Sequence, residues 1–137
     1  MHSHRTLLVH IVWATKHRER TLTRDLDAPL ASLLASYADA CGCRALGVGV
    51  APDHVHVLAS LAPHVTLATL VQQMKGGCSH DLAATQLAPS PVRWQSGYWA
   101  ESCSPAAIDP LLTYLRHQRA HHAKPLQVEP WRSKRDD

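Results

Sequence analysis

Two short apolar runs, Arg44 to Val50 and His54 to Leu61, are separated only by Ala51-Pro52-Asp53. Proline sets φ and aspartate bonds nearby backbone, so this link is a tight reversal and the two runs must lie side by side as an antiparallel hairpin. A parallel crossover needs a dozen or more residues and does not fit there. Any fold for this chain has to be built around that pair.

The flanks extend the pattern. Leu7 to Thr15 (LLVHIVWAT) is β-branched and apolar and reads as a strand largely buried on both faces or central in a sheet. Leu26, Leu30, Leu33, Leu34, Tyr37, Ala38 and Cys41 then fall at helical spacing, with Gly42 as the stop. After the hairpin, Thr66 caps a second helix carrying Leu67, Leu70, Val71 and Met74; Lys75-Gly76-Gly77 should interrupt it before it resumes through Leu82. Residues 86–97 read as a loop and Tyr98 to Ser102 as a short strand. Asp109-Pro110 reads as an N-cap followed by proline at the first helical position, opening a third helix through about His122. The order β-α-β-β-α-β-α predicts an α+β, ferredoxin-like antiparallel sheet with helices on one face, the first and third strands central, and an extra C-terminal helix. Such a fold names no function by itself.

At 137 residues the chain is expected to be one domain over 1–137, with a core from about 5 to about 125 and a polar tail, PLQVEPWRSKRDD. No apolar run is long enough to cross a bilayer and the N-terminus lacks a signal-peptide layout, so a soluble cytoplasmic protein with no membrane partner is expected. Cys41, Cys43, Cys78 and Cys103 lack the paired spacing of a zinc site and read as reduced thiols. Two features remain: 11 histidines, and arginine outnumbering lysine ten to four. Both favour metal or phosphate chemistry, although a net charge of +3 is too small to establish nucleic-acid binding.

The sharpest local motif is Asp53-His54-Val55-His56. Along a strand His54 and His56 share one face while Val55 and Val57 enter the core, so two imidazoles stand side by side and can chelate a divalent ion. The same spacing also suits an amphipathic strand that binds nothing. On the third helix Tyr114 and Gln118 lie on one face, which His121 continues, and Arg116 and Arg119 are near enough to meet phosphates. Tyr114 reads equally as a packing residue at the core edge, because a phenol with a pKa near 10 is a poor nucleophile without a cation beside it.

Taken together, five segments resemble the HUH single-tyrosine transposases of the smallest bacterial insertion sequences, including the REP-associated tyrosine transposases. They are His10-Ile11-Val12-Trp13-Ala14-Thr15-Lys16-His17-Arg18, Asp53 to His56, Leu70 to Gly76, Trp94-Gln95-Ser96-Gly97-Tyr98 and Tyr114-Leu115-x-x-Gln118. The resemblance spans nearly the whole chain. It implies a transposase that nicks and joins single-stranded DNA at hairpin ends through a 5′-phosphotyrosine. Tyr114 would be the nucleophile, and His54, His56 and Gln118 would hold Mg²⁺ or Mn²⁺. Asp53, His10 and His121 would support the site, and Lys16, Arg18, Arg20, Lys75, Arg116 and Arg119 would bind DNA. Family members that move elements are typically homodimers and REP-associated relatives tend to be monomers; the short length of this chain favours the homodimer. The alternatives are a domesticated relative, a non-catalytic ferredoxin-like nucleic-acid-binding module, or a metallohydrolase that uses the histidines without Tyr114.

Overall fold

In the computed structural model, which describes residues 5–119, strands β1 (Leu8–Ala14), β2 (Arg44–Ala51), β3 (His54–Ser60) and β4 (Trp99–Cys103) form one sheet in the order β2-β3-β1-β4. All neighbours are antiparallel. Ala51 pairs with His54 across the Pro52-Asp53 turn, which is the expected hairpin, and β1 and β3 are the central pair. Helices α1 (Asp27–Ala40) and α2 (Leu67–Thr85) precede and follow the hairpin, and α3 (Ile108–Arg116) closes the expected order.

Alternation along the strands divides the sheet into two unlike faces. Val9, Ile11 and Trp13 of β1, Val55, Val57 and Ala59 of β3 and Val50 of β2 join Leu30, Leu34 and Ala38 of α1 and Leu70, Met74, Cys78 and Leu82 of α2 in one buried core. Each fully buried Leu there contributes roughly 1.5–3 kcal/mol relative to exposure. The opposite face carries Leu8, His10, Val12, Ala14, His54, His56 and Leu58, and α3 packs on it over β2 and β3. The four cysteines are free thiols, and burial pushes that of Cys78 up to about 12.

Three local expectations change. Helix α2 runs unbroken through Lys75-Gly76-Gly77, because Gly77 is a packing position: a Cβ there would lie 2.2–2.5 Å from ring atoms of Tyr37. That ring crosses α2 flat against the glycine, and its hydroxyl donates to Asp81 at 2.9 Å. Thr66 does cap the helix, its side chain accepting from Thr69 N at 3.1 Å. Asp109 is not the cap of α3, since a 3₁₀ turn at Pro105–Ala107 leads directly into the helix and places Asp109 in the first turn, where its charge suits the positive end of the dipole. The regular part of α3 ends at Arg116; Gln118 and Arg119 are helical beyond it, and the remainder of the expected helix lies outside the described residues.

Candidate active site

His54 and His56 project from β3 onto the face that α3 covers, and both are fully buried. Each ring is fixed through Nδ1. His54 Nδ1 lies 2.7 Å from Asp53 Oδ1. A carboxylate can only accept, so His54 carries its proton on Nδ1 and, when neutral, its lone pair on Nε2. Asp53 thus performs both roles open to it, a turn residue and the orienting group of a histidine. His56 Nδ1 lies 2.8 Å from His10 Nε2, and the two rings stack with centroids 5.0 Å apart. Trp99 closes the other side of His10, edge-on at 5.3 Å. Both Nε2 atoms are buried.

The tyrosine helix meets this pair directly. The Tyr114 ring stands edge-on to His56 with centroids 5.7 Å apart. Gln118, at 1% exposure, is as deeply placed as the histidines. Its location depends on a feature outside the five motifs. Gly49 is the register partner of His56, and a Cβ on it would lie 2.5 Å from Gln118 Cγ and 2.7 Å from Leu115 O. At Gly47 a Cβ would lie 2.4 Å from Leu112 Cδ2. The two glycines are the floor on which α3 rests. Glycine inside a strand signals close approach of another backbone, and Gly47-Val48-Gly49 carries that signal in the sequence. A β-bulge between Ala45 and Gly47 turns both glycines toward α3 and leaves Val48 and Val50 for the core.

These donors suit a divalent cation. Two imidazoles presenting Nε2, each held from behind, and a neutral amide oxygen form a mixed nitrogen and oxygen set that leaves coordination positions for substrate oxygens. Among the described residues no three His, Cys, Asp or Glu side chains are placed to hold one ion together, so the amide of Gln118 is the candidate for a third protein donor.

The other expected site residues divide. Lys16 and Arg20 are exposed on the segment after β1, Arg18 is half-buried there, and Arg116 is exposed at the end of α3. His17 and Arg18 have φ near +57° and +55°, a left-handed turn braced by Thr15, whose hydroxyl donates to Glu19 O at 2.6 Å. Lys75 and Arg119, expected on DNA, are instead engaged within the chain. Lys75 Nζ donates to Gln95 O at 2.8 Å and Gly97 O at 3.0 Å, and burial holds its pKa below the usual lysine value. Trp94 returns a bond, Nε1 to Lys75 O at 2.9 Å, and packs edge-on against Trp13. Tyr98 stays exposed. Arg119 is bound to Asp27. His121 lies outside the described residues.

An antiparallel α+β sheet holding a histidine pair beneath a tyrosine-bearing helix is the architecture implied by the five motifs. The chain belongs to the IS200-like transposase family, whose model matches residues 3–118. It is 26% identical over 93 residues to the ISDra2 transposase TnpA of Deinococcus radiodurans, a match covering 68% of this chain and 66% of that protein, just under two thirds of its length. The fold is similar to that of a candidate transposase from Deinococcus radiodurans R1, with TM-score 0.64 and 23% identity over 87% of this chain and 98% of that one. It is also similar to a REP-associated tyrosine transposase bound to a REP hairpin, with TM-score 0.62 and 16% identity over 96% of this chain and 81% of that one.

Proposed function

We propose that this chain is a transposase that cuts and rejoins single-stranded DNA at hairpin ends with Tyr114 as nucleophile, in the presence of Mg²⁺ or Mn²⁺. The observation that carries the reading is that Tyr114 meets His56, which meets His54, while Gln118 is buried against Gly49, the register partner of His56, so that residues from two separate elements share one site.

His54, His56 and Gln118 would hold the ion, which when bound would polarise the scissile phosphate and lower the cost of charge developing on it. Asp53 and His10 act behind the ligands. Asp53 holds the proton of His54 at Nδ1, and His10 accepts that of His56, so each ring turns Nε2 toward the site. Tyr114 Oη forms a bond to phosphorus while the bond from phosphorus to the 3′-oxygen breaks. The proton that the phenol loses is matched by the one that the departing 3′-hydroxyl gains. The product is a 5′-phosphotyrosyl link, which conserves the phosphodiester energy, so a second 3′-hydroxyl can reverse the step without ATP. Lys16, Arg18, Arg20 and Arg116 supply the cationic surface for the DNA backbone. The homodimer belongs to this reading, with each subunit gathering its site residues from its own chain. A hairpin target is supported by the hairpin that the REP-associated relative binds.

The test is incubation of purified protein with Mn²⁺ and labelled single-stranded DNA bearing hairpins from its genomic flanks, then a denaturing gel. A covalent band lost without metal and lost in Tyr114→Phe is the expected result. A band that survives Tyr114→Phe excludes that nucleophile. A metal-independent shift on a native gel with no covalent band supports a binding module, and turnover of small phosphoesters without an adduct supports a metallohydrolase.

A further inference from the structure

We infer that Arg119 is a positioning residue for the metal site: it clasps the end of the tyrosine helix around the sheet edge and so sets where Gln118 sits. The inference rests on the metal reading above.

Strand β2 is an edge strand, with α3 on one face of the sheet and α1 on the other. Arg119 joins the two layers past that edge. Its guanidinium donates to Asp27 from Nη2, 2.7 Å to Oδ1, and from Nε, 3.3 Å to Oδ2, and Nη2 also donates to Leu22 O at 2.9 Å. The Arg119 side chain is only 16% exposed, so the pair is shielded on the arginine side. A planar fork meeting a carboxylate and a carbonyl fixes direction as well as distance, which an ammonium cannot do.

Gln118 needs such a tie. The regular helix ends at Arg116, and His117 departs from helical geometry at φ −111° and ψ 25°. A cavity of about 350 Å³, lined by Arg24, Asp27, Val48, Val50 and residues 115–119, flanks this last turn. Packing therefore holds Gln118 from the Gly49 side, and the residue next to it supplies the restraint across the cavity. The bonds of Arg119 go to Asp27 and Leu22, neither of them on β3, so its influence passes through its neighbour Gln118.

The experiment is Mn²⁺ titration of the full chain, following the electron paramagnetic resonance signal of free Mn²⁺, well below the melting temperature of every variant. Arg119→Ala is expected to weaken Mn²⁺ binding by about 10-fold, the lower end of the effect of groups that orient metal ligands, with Arg119→Lys intermediate. Asp27→Asn, which keeps the shape of the acceptor and disturbs folding least, should shift affinity in the same direction. In a Gln118→Ala background Arg119→Ala should have no further effect. Hydrogen exchange on the metal-free chain should quicken at residues 115–118 in Arg119→Ala. A wild type that binds Mn²⁺ with Arg119→Ala equally tight overturns the inference alone, as does a loss that persists undiminished without Gln118. A wild type that takes up no Mn²⁺ overturns the metal reading and the inference with it.

Discussion

Replacing Gly49 by alanine tests whether the floor beneath α3 positions the groups proposed to act in cleavage. The added Cβ would stand 2.7 Å from Leu115 O and 3.1 Å from Leu115 Cα, and both are backbone atoms. Reaching the 3.4 Å of an ordinary contact requires the last turn of α3 to rise by about 0.7 Å, carrying Gln118 with it. Overpacking of this kind costs roughly 1–3 kcal/mol, and a misplacement approaching 1 Å at a reacting site can reduce rate about 100-fold. Gly47→Ala is the control. Its Cβ meets the terminal methyl of Leu112, which another rotamer can withdraw, so it should stay within about 1 kcal/mol of wild type and keep most activity. Urea unfolding measures the stability and the rate of covalent adduct formation measures the site. If Gly49→Ala forms adduct at the wild-type rate, or if the two variants behave alike, the glycine floor does not position the helix as argued.

Other contacts carry their own tests. Asp53→Ala frees the Nδ1 proton of His54 to exchange tautomers and should weaken Mn²⁺ binding about 10–100-fold with the fold intact by circular dichroism. Gly77→Ala drives a Cβ into the Tyr37 ring, and urea unfolding should show a loss of roughly 1–3 kcal/mol, with Gly76→Ala, where nothing lies within 4 Å, neutral or slightly stabilising. The hydrogen bond from Tyr37, then that from His80, holds the Asp81 carboxyl below its ordinary value. Its stabilisation is complete above the unfolded carboxylate pKa near 4 and fades as pH falls through the lower folded value. Urea midpoints measured against pH should therefore drop less steeply on acidification in Asp81→Asn than in wild type.

Much of this arrangement is legible in the amino-acid sequence. The short Pro52-Asp53 link requires the hairpin, alternation puts His54 and His56 on one face, and helical spacing puts Tyr114 and Gln118 together. The rest depends on contacts between residues far apart along the chain. Gly76 and Gly77 look like a helix break because glycine weakens a helix by about 1 kcal/mol; the compensating ring of Tyr37 lies 40 residues from Gly77 in sequence. Arg119 reads as a phosphate ligand until Asp27 is found beside it, a separation of 92 residues. Lys75 is hidden in the same way by carbonyls of the loop after α2. The faces of β2 are unreadable for a different reason, since the bulge at Leu46 reverses the phase of alternation partway along the strand.

That bulge also bears on how β2 can change in length. Ala45 pairs with Ala59 and Gly47 with Leu58, so Leu46 has no place in the ladder. Its removal would join two segments already in register. A residue lost between Gly47 and Val50 would draw Leu46 into the pairing, and the disturbance would end there, with Ala45 still opposite Ala59. In an unbroken strand the same loss would invert every position up to the end of the pairing. The strand beneath the tyrosine helix thus carries a spare residue that confines a one-residue deletion to a few positions, and it can shorten by one without the histidine face and the valine core of β3 changing sides.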